Sequence, residues 1–97
     1  MSFYSADMMF PETLDGARVL LYTPQDNYGA IKYPNGEIAG DYRYLAICKY
    51  SNDEQYCLFC CNAHYEVLSD SCWDSIEQCM SVADASYKAN IVWHQAE

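Results

Sequence analysis

Hydrophobic and polar side chains alternate with a period of two over residues 42–50, a segment without Gly or Pro, and this pattern predicts a β-strand. The polar residues 51–55 predict a turn of hairpin length. Residues 56–63 are apolar on both faces, which predicts a strand in the middle of a sheet. Residues 65–68 predict a shorter strand, and the apolar run 17–23 predicts another. Because the turns are short, neighbouring strands are expected to run antiparallel.

After residue 70 the hydrophobic period changes from two to three or four residues, which predicts an amphipathic helix. Ser71, three residues before Asp74, predicts a capping box at its start, and Asn90 predicts its end. A sheet with an apolar face and a helix with an apolar stripe bury each other. The predicted fold is α+β: an antiparallel sheet of four to five strands with one C-terminal amphipathic helix packed on one face. The predicted stripe consists of Cys72, Trp73, Ile76, Cys79, Met80, Ala83 and Tyr87.

Residues 25–40 are rich in turn formers and contain a Pro-Asn-Gly sequence, which predicts a turn. One interpretation is a small hairpin with strands at about 29–33 and 37–39. The other is an extended loop that presents Tyr28 and Tyr33. These rings either cover an edge of the sheet or contact a partner, since loops on rigid scaffolds often carry binding residues.

Length and composition predict a single domain over residues 1–97. A hydrophobic content of 52% is sufficient for one core without a metal or a disulfide. Residues 1–16 are expected to form a short helix or a loosely ordered arm that packs Phe10 on the core, and residues 91–94 an edge strand or a docked tail. No apolar run predicts a membrane span, and no secretory signal is evident. The expectation is therefore a cytoplasmic protein with six reduced cysteines.

The net charge of −9, from 14 acidic and 5 basic residues, excludes nucleic-acid binding by phosphate neutralisation. It favours association with a basic protein. The ten tyrosines strengthen this interpretation, because Tyr combines apolar area with a polar tip and is enriched at protein interfaces. The predicted partner contacts are Tyr28, Tyr33, Glu37, Asp41, Asp53 and Glu54.

Cysteines at positions 57, 60 and 61, together with His64, suggest a zinc site or a redox C-x-x-C motif. The predicted strand argues against both, because Cys57 and Cys60 would point to opposite faces. The favoured interpretation is that the thiols fill the core as small hydrophobic groups. No catalytic residue, metal ligand or cofactor is predicted. A metal-binding module that uses Cys57, Cys60 and His64 is an alternative.

The order of strand, hairpin, strand, capped helix and terminal Trp resembles the small bacterial immunity proteins of polymorphic toxin systems. The resemblance covers roughly the C-terminal half of the chain. It implies a non-enzymatic protein that binds a basic toxin and blocks it, with Tyr residues as contact anchors. Phage-encoded inhibitors of host defence share this profile and are an alternative, as is a domain that pairs with a second copy; both monomer and homodimer are compatible with the sequence. The resemblance is carried by residues 44–48, 56–59, 65–68 and 75–77 with Asp70, Trp73 and Trp93.

Overall fold

A computed structural model, which describes residues 10–87 and 90–96, confirms the α+β class. The elements are β1 (Thr13–Leu14), β2 (Ala17–Tyr22), β3 (Gly29–Lys32), β4 (Ile38–Tyr42), β5 (Tyr44–Lys49), β6 (Tyr56–Cys61), β7 (Val67–Trp73), α1 (Ile76–Ser86) and β8 (His94–Gln95). Strands β1, β2, β5, β6 and β7 form the main antiparallel sheet in that order, and β8 pairs with β2. Strands β3 and β4 form a separate antiparallel hairpin. The helix α1 packs against β6 and β7.

The central strands β5 and β6 are both buried on both faces. The sequence predicted this for β6, whereas β5 was predicted as an alternating strand. Ile47 pairs with Leu58 on one face, and Ala46 pairs with Phe59 on the other. All four side chains are at most 1% exposed. The sheet therefore separates two apolar clusters rather than covering one.

The first cluster lies between the sheet, the helix and the hairpin. Helix residues Cys79 and Ala83 pack there against the β5 and β6 side chains, together with Tyr28 and Tyr42. The second cluster lies on the opposite face, where residues of β1 and β2 and a set of partly buried aromatic rings, including Phe10, cover the sheet. The expectation that Phe10 packs on the core is confirmed, whereas residues 1–9 of the predicted arm lie outside the described residues.

The predicted start of the helix is wrong, because the helix is capped by Ser75 and not by Ser71. Residues Ser69–Trp73 belong to β7, because their backbone continues the ladder with β6. The N-cap is Ser75, whose hydroxyl accepts a hydrogen bond from Gln78 N at 3.1 Å. Gln78 Oε1 in turn accepts from Asp74 N at 2.8 Å. This reciprocal pair satisfies helix-end donors in the manner of a capping box, and Ser71 instead accepts from the Trp73 indole.

The helix also ends earlier than Asn90, at a C-cap formed by Tyr87 in an extended conformation. The Tyr87 ring meets the Tyr42 ring edge to face, with centroids 5.8 Å apart. Its hydroxyl lies 3.0 Å from Cys60 Sγ. These contacts hold Tyr87 against the core and so compete with continuation of the helix. No helix within the described residues is long and apolar enough to cross a membrane.

The expectation that all cysteines are reduced is wrong for Cys57 and Cys72, which form a disulfide. The two residues lie directly opposite each other in β6 and β7, with Cα atoms 4.0 Å apart. The sequence hides this pairing because Cys72 appeared to belong to the helix. The other cysteines, Cys48, Cys60, Cys61 and Cys79, are free and buried, in agreement with their predicted role in the core.

These buried thiols predict an alkaline loss of stability. Burial raises the pKa of Cys48 and Cys61 from 9.0 to about 12. It raises the pKa of Cys60 and Cys79 to about 11. Because the unfolded chain ionises at lower pH, this contribution is fully present below pH 9.0 and is lost as pH rises through the folded pKa values.

Thiolate absorbance measured during an alkaline titration is the appropriate test. The folded protein should develop the thiolate signal only near pH 11–12. Its urea midpoint should begin to fall earlier, above pH 9.0, because the thiols of the unfolded chain ionise first. The same chain in urea serves as the control and should titrate near the ordinary thiol value. A full thiolate signal from folded protein near pH 9.0 would contradict burial of these groups.

Candidate functional site

The hairpin β3–β4 confirms the first of the two interpretations of residues 25–40. Tyr33 N donates to Glu37 O at 2.8 Å, and Gly36 N donates to Tyr33 O at 2.9 Å, which closes the turn. Asn35 Oδ1 accepts from Glu37 N at 3.0 Å. Gly36 has a φ of 92°, a value that glycine adopts without steric cost. The Pro-Asn-Gly sequence thus forms the predicted turn.

One face of the hairpin is fixed against the main sheet. The register pairs Ile31 with Gly40 and Gly29 with Tyr42 on this face. A Cβ atom on Gly40 would lie only 2.9 Å from Leu68 Cδ1, so glycine permits β4 to approach β7 closely. The hairpin is therefore held on the scaffold by its inner face.

The hairpin exposes large apolar side chains at its turn and on both of its faces. Ile38 is 59% exposed, Tyr33 is 56% exposed and Ile31 is 36% exposed. Glu37 and Asp41, both exposed, are close to them in the hairpin. Of the partner contacts predicted from sequence, the structure brings three together here, and we call this group with the two isoleucines the hairpin surface: Ile31, Tyr33, Glu37, Ile38 and Asp41.

Ile31 and Ile38 were not among the partner contacts predicted from the sequence. The exposure of Ile38 depends on a register shift between the pairs Ile31–Gly40 and Lys32–Ile38, which places Ile38 on the outer face beside Lys32. Strict alternation along β4 would have put Ile38 on the inner face with Gly40. The sequence around the shift contains no pattern that predicts a bulge, although the nearby turn predicted a hairpin.

Tyr28 is a core residue, which corrects the expectation that it contacts a partner. Its side chain is 1% exposed, and its hydroxyl donates to Pro24 O at 2.6 Å. Burial raises the pKa of this phenol above its ordinary value. The backbone N–H of Tyr28 also donates to Tyr42 O, so the ring is fixed where the hairpin begins.

Asp53 and Glu54 lie in the turn between β5 and β6, at the far end of β5 from the hairpin. The length of β5 separates the two regions by about 16 Å. Asp53 is half-buried, its carboxylate accepts from Gln55 N at 3.1 Å, and its carbonyl accepts from Lys49 Nζ. The predicted contact residues therefore do not form one surface, and these two remain apart from the hairpin.

The charge of the described surface is strongly acidic. All the Asp and Glu side chains in residues 10–87 and 90–96 are exposed except that of Asp53. Among the basic residues in the same ranges, Arg18 and Lys32 are exposed, whereas Arg43 and Lys49 are half-buried. Within the described residues, the negative charge is thus presented outward rather than compensated in the interior.

A second feature, which the sequence did not reveal, is a cavity of about 290 Å³ on the opposite face of the main sheet from the helix. Phe10 and Tyr22 stack with centroids 4.7 Å apart, and Tyr44 and Tyr65 stack at 4.6 Å. Its lining, which we call the aromatic pocket, consists of Phe10, Tyr22, Pro24, Gln25, Tyr44, Tyr65 and His94.

Backbone hydrogen bonds fix the walls of the aromatic pocket. The segment that carries Pro24 and Gln25 is held along β5, because Thr23 N donates to Leu45 O and Asp26 N donates to Arg43 O, each at 3.0 Å.

On the opposite wall Tyr65 adopts a left-handed conformation with a φ of 64°. Asn62 Oδ1 accepts from His64 N and Glu66 N on either side of it, at 2.9 and 3.0 Å. The hydrogen bond to Tyr44, together with burial, raises the pKa of Tyr65 to about 12. The phenol is therefore neutral at ordinary pH.

The cysteine and histidine residues do not converge. Cys57 and Cys60 belong to the clusters on opposite faces of the sheet, as the strand argument predicts. His64 is exposed in a turn. Within the described residues, no group of three or more His, Cys, Asp or Glu side chains is arranged to hold a metal ion.

Comparisons of the chain with protein-family models, with curated proteins and with solved structures found no match. The function is therefore inferred from the chemistry of the hairpin surface and the aromatic pocket.

Proposed function

We propose that this protein is a non-enzymatic inhibitor that binds a basic protein through the hairpin surface. The observation that carries the proposal is the grouping of exposed Ile31, Tyr33 and Ile38 on one hairpin with exposed carboxylates. Large apolar side chains exposed together on an ordered element are characteristic of protein-binding sites.

The energetic roles within the surface differ. Tyr33 and Ile38 supply apolar area that a partner would remove from water, which is the source of most affinity at an interface. Glu37 and Asp41 outnumber the exposed Lys32 beside Ile38 and so leave net negative charge close to that area. In a protein of net charge −9 they would favour encounter with a basic partner and disfavour acidic ones.

The partner we propose is a toxin or effector that the protein neutralises, in line with the resemblance to immunity proteins. The compact hairpin, anchored at Gly40 against Leu68, supports this because an anchored contact surface loses little conformational entropy on binding. A phage-type inhibitor of a host defence protein would use the same chemistry and differs in the identity of the target.

Capture from host lysate with the full chain, followed by identification and purification of the bound protein, tests the proposal. We expect a basic protein whose activity is blocked on binding and whose affinity falls as salt is raised. Tyr33→Ala and Ile38→Ser should each weaken binding by about 30-fold, the effect of removing an interface hot spot.

The matched control is Val92→Ser, which removes another exposed aliphatic side chain, 53% exposed, outside the hairpin. It should bind the purified partner as the unmodified chain does. Equal binding by the Tyr33 and Ile38 variants would rule out the hairpin surface as the interface. Self-association in light scattering that these two substitutions abolish would show instead that the surface pairs two copies of the chain.

A further inference from the structure

The aromatic pocket is not used by the proposed inhibitor function, and its ring geometry indicates a ligand of its own. Phe10 meets the Tyr44 and Tyr65 rings at 76° and 81°, so the two stacked pairs are nearly perpendicular. The pocket is therefore bordered by aromatic rings in two nearly perpendicular orientations. Ring faces carry partial negative charge, and three of the four rings are the electron-rich rings of tyrosine.

Three oxygens of the pocket, on Tyr65, Tyr44 and Gln25, are arranged as a chain of acceptors. Tyr65 Oη donates to Tyr44 Oη at 3.4 Å, and Tyr44 Oη donates to Gln25 Oε1 at 3.3 Å. Both hydroxyl protons are thus directed to protein acceptors. The relay therefore offers a ligand only the lone pairs of the two hydroxyl oxygens and of Gln25 Oε1. A matching ligand should be rich in hydrogen-bond donors.

The charge around the pocket favours a positive ligand. Its lining contains neither Lys nor Arg. Asp26 and Glu66, the sequence neighbours of Gln25 and Tyr65, are both exposed. The net charge of −9 would repel an anionic ligand and attract a cation.

We propose that the aromatic pocket binds an organic cation of the guanidinium or methylated ammonium class. Such a cation gains cation–π attraction from the tyrosine rings, and a guanidinium also donates to Gln25 and Tyr44. A cavity of about 290 Å³ accommodates a single small group of this kind. The cation is either a free small molecule or the side chain of a bound peptide, and the inference does not depend on the function of the hairpin.

The test is a titration of the full chain with methylguanidinium chloride, followed through the aromatic proton signals in NMR spectra. The pocket rings should shift and saturate. Methylurea, which has nearly the same shape but no charge, should leave them unchanged at equal concentration. Gln25→Ala and Tyr44→Leu should each lower the affinity by about tenfold, the scale of a cation–π or charge-assisted contact.

Gln25 is exposed, so its replacement keeps the test valid if the Tyr44 variant fails to fold. Gln55→Ala, at another exposed glutamine, is the matched control and should bind like the unmodified chain. A blocked Gly-Arg-Gly peptide that binds as well as methylguanidinium would assign the pocket to a peptide side chain, and its exclusion would assign the pocket to a free cation. Equal binding of methylurea, or unchanged affinity in both pocket variants, would overturn the proposal.

Discussion

Replacement of Phe59 by alanine is expected to destabilise the fold by about 3–5 kcal/mol, the largest effect of any single side-chain truncation proposed for this protein. The Phe59 side chain is fully buried at the centre of β6. It lies between Ala46 of β5 and Asp70 of β7 in the ladder, and its ring meets Tyr50 at 66°. Truncation leaves a cavity that the paired strands on both sides prevent from collapsing.

Urea unfolding followed by circular dichroism measures this effect. The urea concentration at the midpoint should fall by the loss of unfolding free energy divided by the slope m, and m itself should not change. Tyr33→Ala is the control, because it removes an aromatic ring that is 56% exposed and should change stability by no more than about 0.5 kcal/mol. Comparable losses in the two variants would show that the interior of β6 is not the structural centre of the fold.

The sequence predicted the elements whose local pattern and long-range pairing agree. Strands β2, β5 and β6 have continuous or alternating apolar patterns, and each is found close to its predicted bounds. The Pro-Asn-Gly turn likewise produced the expected hairpin. In these segments the local signal and the packing favour the same structure.

The errors in the helix start and the disulfide occurred where two possible helix caps compete and pairing with a distant strand decides between them. Ser71 and Ser75 each precede a capping partner by three residues, although Ser75 with Gln78 matches the standard capping box better than Ser71 with Asp74. The ladder with β6 extends to the pair Tyr56–Trp73, which keeps Ser71 in a strand and leaves Ser75 to begin the helix. The same extension brings Cys72 opposite Cys57, and so the disulfide was missed for the same reason.

The candidate sites differ in how far the sequence could reveal them. The hairpin surface is local, so Tyr33, Glu37 and Asp41 were identified from one segment. The aromatic pocket is assembled from residues as distant as Phe10 and His94, which no sequence pattern connects. Ten tyrosines indicated aromatic surface but not that several of the rings would stack around one cavity.

Loss of the Cys57–Cys72 disulfide is expected to lower the free energy of unfolding by about 3 kcal/mol, because the bond closes a short loop in the unfolded chain. The two cysteines are 15 residues apart in sequence. The antiparallel ladder between β6 and β7 extends on both sides of the bond, so the folded state should persist without it. The cost arises mainly from the greater conformational freedom of the unfolded chain.

Urea unfolding with and without dithiothreitol measures this loss. The double variant Cys57→Ala/Cys72→Ala is the control: it should resemble the reduced chain and show no further response to the reductant, because the other cysteines are buried and free. An unmodified chain whose stability is unaffected by full reduction would show that the β6–β7 ladder alone fixes this edge of the sheet. The hairpin surface contains neither cysteine of the disulfide. Reduction should therefore weaken partner binding only to the extent that it unfolds the protein, which distinguishes scaffold stability from the chemistry of the hairpin surface.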